Sequence, residues 1–246
     1  MKQAIKKKNK KDYQKGESKI NKKLFQNIFF LQFHKFYCKT KTLLCLIIDY
    51  FLKERCIGCN IGYAENYGFC KDCFSKIIFI NESFKDRFHI GRYEGPLKEA
   101  ILKYKYNGRK SFAKYFSLLI EEKIKKEKIE FDLIIPVPLH WKKEFIRGFN
   151  QSALIGNYIS KKFNKKMYQN ILIKSKNTKS QTELAEKERK ENVKNSFKLK
   201  RNDLIKDKVV LLIDDVYTTG ATTEECKKML INGGAKKVII ITLAKS

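Results

Sequence analysis

Short apolar runs alternate with stretches of helical periodicity along most of this chain. GRYEGPLKEAILKYKYNGRK (91–110) reads as a short strand, then a helix opening near Pro96 and ending near Asn107-Gly108, where proline and glycine punctuate it. SFAKYFSLLIEEKIKK is amphipathic at helical spacing, and FDLIIPVPLH is a buried strand that Pro136 and Pro138 force into extended backbone at its end. RGFNQSALIGNYISKKF predicts another helix and QNILIKS a short strand. Beyond a polar run, KVVLLID predicts a strand, TEECKKMLIN a helix and KKVIIITLA a final strand. Strands that alternate with helices imply a mostly parallel sheet covered by helices on both faces, an α/β fold.

The N-terminal part has a different character. Residues 1–23 hold ten lysines against two acids and too little apolar surface to fold, so a basic disordered tail is expected. Residues 24–54 read as an amphipathic helical segment in which Leu43, Leu44, Ile47, Ile48 and Phe51 share one face, suited to docking on the cysteine-rich segment after it or, more weakly, to a membrane surface. Its apolar stretch TLLCLIIDYFL is about half the length that a membrane span requires. LFQNIFFLQF comes after lysines but is interrupted by polar residues and lacks a small-residue cleavage site, so no signal peptide is expected and a cytoplasmic location is. The formal charge of +28 over 246 residues comes mostly from lysine. It suits a polyanion partner, but lysines spread along an Asn- and Ile-rich chain also fit plain compositional bias.

Seven cysteines change the picture further. Cys56-Ile-Gly-Cys59 and Cys70-Lys-Asp-Cys73 are two CxxC turns within eighteen residues, in a compact segment with Gly58 and Gly68 at turn positions. Two such knuckles supply four thiolates, a closed tetrahedral shell for a structural zinc ion, against redox thiols as the alternative. A zinc-binding module over residues 55–80 is expected. Cys38, Cys45 and Cys226 have no paired spacing and read as ordinary thiols.

The stretch VVLLIDDVYTTGATTEE (209–225) carries the densest chemistry. Asp214 and Asp215 close an apolar strand, the edge at which α/β sheets bind ligands. Thr218, Thr219, Gly220, Ala221 and Thr222 then offer backbone N–H groups and hydroxyls, and Thr222 with Glu225 fits a capping box that opens a helix. A helix N-terminus behind such a turn favours a phosphate, while paired carboxylates suit a diol, a magnesium ion or both. A phospho-acceptor receiver also ends a strand on two acids, but it has no use for TTGAT.

The same stretch resembles the phosphoribosyl-pyrophosphate signature of type I phosphoribosyltransferases, with Ala221 where many members carry a second glycine. A four-cysteine knuckle ahead of such a domain resembles the ComF family of competence-associated proteins, as do KYNGR (105–109), PVPLH (136–140), RGFNQS (147–152), TKSQTEL and ERKENVKNSF. The resemblance spans about residues 43–246 and implies a phosphoribosyltransferase-like domain over 87–246. It implies that Asp214 and Asp215 hold ribose hydroxyls and that Thr218–Thr222 hold the 5′-phosphate of phosphoribosyl pyrophosphate with magnesium. Backbone groups of Leu139 and His140, helped by Arg147, are placed at the pyrophosphate. Lys187 and Arg189 lie where the fold carries a mobile catalytic loop. A surface histidine at 140, a solvated Arg147 and a solvated charge run over 175–192 are the plainer readings, and packing roles suffice for His34 and His89.

The resemblance implies three functions. One is a competence-type protein supporting DNA uptake or processing, with single-stranded DNA and recombination proteins as partners. The second is an active phosphoribosyltransferase, and the third a ligand-sensing regulator without turnover. Trp141 beside Lys142 and Lys143 suits base stacking on a basic patch, or a half-buried anchor.

Overall fold

The computed structural model of the protein describes residues 54–82, 84–175 and 196–246. The tail 1–23, all but the last residue of segment 24–54, and Lys187 and Arg189 lie outside the described residues.

The strands are β1 (Arg87–Arg92), β2 (Leu133–Pro136), β3 (Lys166–Met167), β4 (Leu172–Lys174), β5 (Phe197–Leu199), β6 (Val209–Tyr217) and β7 (Lys237–Lys245). The helices are α1 (Lys71–Ser75), α2 (Gly95–Tyr106), α3 (Phe112–Lys126), α4 (Trp141–Arg147), α5 (Gln151–Phe163) and α6 (Ala221–Asn232). Five strands form one parallel sheet in the order β1-β7-β6-β2-β3, while β4 and β5 pair antiparallel as a separate ribbon.

Period-two alternation sorts the apolar runs between two cores. From β6, Leu211 and Ile213 join the core that holds Tyr104, Phe116, Ile120 and Ile155 of α2, α3 and α5. Val210 and Leu212 join the core on the other face, with Cys226 and Leu230 of α6 and Leu172 and Phe197 of the ribbon. Each fully buried side chain of this size stabilises the fold by about 1.5–3 kcal/mol. The parallel sheet with helices on both faces, expected from the alternation of runs, is therefore present.

Three local expectations are corrected. The RGFNQS stretch is not one helix: α4 ends at Arg147 on the left-handed Gly148, and α5 begins at Gln151 behind Asn150, whose side chain accepts from the Ala153 amide. β6 does not stop at the acids but runs to Tyr217, because β7 keeps pairing with it as far as Lys245. The last helix opens at Ala221 with Gly220 as its N-cap, so Thr222 stands inside the first turn, not at the cap.

The cysteine segment has no core of its own. Cys56, Ile57, Phe69, Cys73 and Ile77 continue the core beneath α2 and α3. Gly68 adopts φ +85° with the Tyr115 ring where a side chain would stand, so only glycine turns the chain there. Gly58 stands in the turn at 57–59, as expected, packed against Phe69 and Pro96. Lys103 of α2 donates to the Gly58 carbonyl, and Lys123 of α3 donates to the Ile80 carbonyl at 2.9 Å.

Candidate functional site

β2 ends at Pro136 opposite Ile213, while its neighbour β6, paired in turn with β7, continues. The chain leaves β2 toward β3 on one side and leaves β6 toward β7 on the other, so the crevice between their carboxyl ends is a topological switch point. Asp214 and Asp215 occupy that step, and PVPLH leaves β2 beside them.

The two acids have different surroundings. Asp215 is buried, with Oδ1 at 2.7 Å from Lys105 Nζ and Oδ2 accepting from Gln151 Nε2 at 2.7 Å. Asp214 is half-buried, and its Oδ1 accepts from Ser152 Oγ at 3.1 Å and from the Asp215 amide at 2.9 Å. Burial, with the Asp215 charge added, pushes the Asp214 carboxyl up to about 7. For Lys105 burial works against the charge, but Asp215 and then Asp214 outweigh it and raise its pKa. Gln151 Oε1 is buried with no protein partner. Turning the amide over would set its oxygen against Asp215, so this orientation is the favourable one.

Asp214, Tyr217, Thr218, Gly220, Ala221 and Thr222 line a small concavity, closed by Val216 and Thr223. Gly220 has φ +75°, and a Cβ there would strike the Tyr217 ring. That leaves the loop backbone close to whatever the concavity holds. Thr219 Oγ1 accepts from the Ala221 amide at 3.4 Å, and Thr223 Oγ1 donates to the Gly220 carbonyl at 3.1 Å. Beneath the loop the Tyr217 hydroxyl donates to Glu224 Oε1, which pairs with Arg87 at 2.6 Å. The Tyr217 ring rests 4.8 Å from His89. Thr242 Oγ1 donates to the Ala244 carbonyl, so His89 donates to it through Nδ1–H at 2.8 Å. Burial, followed by the Lys245, Arg87 and Lys123 charges, brings His89 down to about 4. It is a neutral packing residue.

On the neighbouring loop, His140 is buried and caps α4, its Nδ1 accepting from the Lys142 amide at 3.3 Å. Leu139 is half-buried beside it. The Arg147 guanidinium lies 5.3 Å over the Tyr106 ring at the end of α2. Trp141, Phe145 and Ile146 of α4 are 65, 85 and 84% exposed, and Lys142 Nζ lies 5.5 Å over the indole. Trp141 is thus no half-buried anchor.

Sequence motifs alone assign no role to Lys105, Gln151 or Ser152. A signal for Lys105 is present all the same: Leu97, Ile101 and Lys105 recur every fourth residue, so the lysine continues the buried stripe of α2 and needs a carboxylate.

The four cysteine sulfurs of Cys56, Cys59, Cys70 and Cys73 lie within 4.8 Å of one another. Amide hydrogen bonds, that of Gly62 first, bring Cys59 down to about 6, whereas burial and neighbouring thiols push Cys73 up. The Ile61 amide donates to Cys59 Sγ at 3.4 Å, as knuckle amides do toward a thiolate. Four sulfurs this close resist joint ionisation unless a cation compensates them, so the donor set fits a divalent metal ion.

Residues 150–246 match the family model described as the phosphoribosyl transferase domain. With the switch-point acids and the glycine turn, this defines the class: a phosphoribosyltransferase-like α/β domain bearing a four-cysteine module. Competence protein F of Haemophilus influenzae is 27% identical over 80% of this chain and 99% of its own length. DNA utilization protein YhgH of Escherichia coli K12 is 27% identical over 70% and 76%. Competence protein ComFC of Streptococcus pneumoniae is 33% identical over 62% and 65%. The chain is thus similar over most of its length to competence proteins of the ComF kind. Among the described residues no helix is long and apolar enough to cross a membrane.

Proposed function

We propose that the protein binds phosphoribosyl pyrophosphate at the switch point and serves, as a competence-type protein, in the handling of incoming DNA. The observation that carries the ligand reading is the Asp214-lined concavity under the Gly220 turn, at the N-terminus of α6. The loop and the helix dipole suit the 5-phosphate, and Asp214 suits a ribose hydroxyl. Arg147 and the backbone of Leu139 and His140 fit the pyrophosphate side. Zinc is the metal that four thiolates favour, and its role is structural because no ligand position stays open. Calorimetry with magnesium present is expected to give saturable binding of phosphoribosyl pyrophosphate, weakened by about 1.5–3 kcal/mol in Asp214→Asn through loss of the charged hydrogen-bond acceptor that lines the concavity. No heat with the wild-type protein would sink this reading.

The names of the relatives and the basic, aromatic face of α4 support the DNA role. With a charge of +28, weak single-strand binding is expected from electrostatics alone, so the residues responsible decide the matter. Binding through the tail should disappear on deleting residues 1–23. A working surface should survive that deletion and lose about 1–3 kcal/mol per base when Trp141, Lys142 and Lys143 are replaced by alanine. The logarithm of affinity should fall by about 0.7 per neutralised phosphate against the logarithm of salt. Should the tail-deleted protein show no binding at about 0.1 M salt, the fold has no direct DNA role.

A further inference from the structure

The acid pair already holds a cation. Lys105 approaches Asp215 from the last turn of α2, with side chains only 15 and 8% exposed and an Nζ–Oδ1 distance of 2.7 Å. Gln151 takes the other oxygen of the same carboxylate. Both oxygens of Asp215 are engaged by protein groups, and Asp214, not Asp215, lines the concavity.

That arrangement fits poorly with a magnesium ion chelated between the two carboxylates. Magnesium demands near-octahedral oxygen ligands at about 2.0–2.1 Å and sheds water reluctantly. Here it would have to displace an ammonium and an amide from Asp215, and while Lys105 remained it would meet a like charge. The rise in the Lys105 pKa agrees, since the ammonium keeps its proton.

We propose that Lys105 is the built-in counter-cation of the acid pair. It fixes Asp215, leaves Asp214 as the acid that meets the ligand, and makes recognition of the ribose 5-phosphate portion independent of divalent metal. Magnesium then belongs to the pyrophosphate of the ligand. This rests on the sugar-phosphate reading, yet its consequence for metal binding is testable without any sugar.

Lys105→Met should expose an uncompensated carboxylate pair. Manganese binding, followed by electron paramagnetic resonance on the full-length zinc-loaded protein, is expected to strengthen by about tenfold or more over wild type. Adding Asp215→Asn should remove that gain. Lys105→Arg, which keeps the charge, should behave as wild type. If Lys105→Met does not fold, Lys105→Gln, which retains a donor to Asp215 without the charge, carries the same expectation.

In parallel, the affinity of wild type for ribose 5-phosphate should agree within about twofold between chelator and saturating magnesium, whereas the uncharged variants become metal-dependent. A wild-type affinity that rises about tenfold with magnesium, or variants that gain no manganese, would overturn the proposal. Absence of ribose 5-phosphate binding in every arm would instead refute the sugar-phosphate reading, and the manganese comparison would still decide the role of Lys105.

Discussion

If the four-cysteine cluster holds zinc as proposed, replacing Cys56 and Cys59 together by serine is expected to abolish metal binding and to loosen the core beneath α2. Two of four thiolates go, and the remaining pair cannot complete a tetrahedral shell. Binding of structural zinc is worth about 10–16 kcal/mol in isolated modules, where it is also folding free energy. Here Cys56 and Cys73 belong to the same core as Tyr104 and Phe116, so the loss should reach the sheet domain as well as the knuckles. Metal analysis of wild-type protein purified without chelator should find about one zinc per chain. The double variant should retain background levels and melt at lower temperature. Full zinc content in the double variant would mean that these cysteines are not the ligands.

The second large effect is at Asp215. Asp215→Asn takes from the buried Lys105 ammonium the carboxylate it contacts and leaves it only the Asp214 charge, and breaking a buried pair in this way costs about 3–5 kcal/mol. Urea unfolding should show the loss as a lowered midpoint. The double variant Lys105→Met/Asp215→Asn should be more stable than Asp215→Asn alone, since the stranded charge is gone and the two sites are coupled. Additive losses, or a single-variant loss below about 1 kcal/mol, would show that the pair is solvated and contributes little.

Much of the architecture is legible in the sequence because the strong signals are local. The apolar runs before Pro136 and Asp214 and the doubled CxxC each need fewer than twenty residues to be read. What escapes depends on distant partners. Nothing in QNILIKS announces that β4 pairs with Phe197–Leu199 across the intervening polar run, and β3 is two residues long. The full length of β6 is hidden because its last residues are held by β7, not by their own propensity. Gly148 is a stop signal between α4 and α5, but the apolar residues on either side mask it. The different fates of adjacent aspartates are beyond reach of the motif, since Lys105 and Gln151 come from elements 110 and 64 residues earlier.

Three consecutive residues of α2 reach three different parts of the molecule. Lys103 holds the Gly58 carbonyl in the first cysteine turn, Tyr104 donates to the Gln151 carbonyl at 2.8 Å, and Lys105 grips Asp215. The physical unit is therefore wider than the stretch that matches the phosphoribosyl transferase domain model. A chain trimmed to residues 150–246 would keep both acids and their loop but lose β1, β2 and the helix that secures Asp215. Any minimal fragment meant to preserve this pocket has to begin upstream of the first cysteine pair.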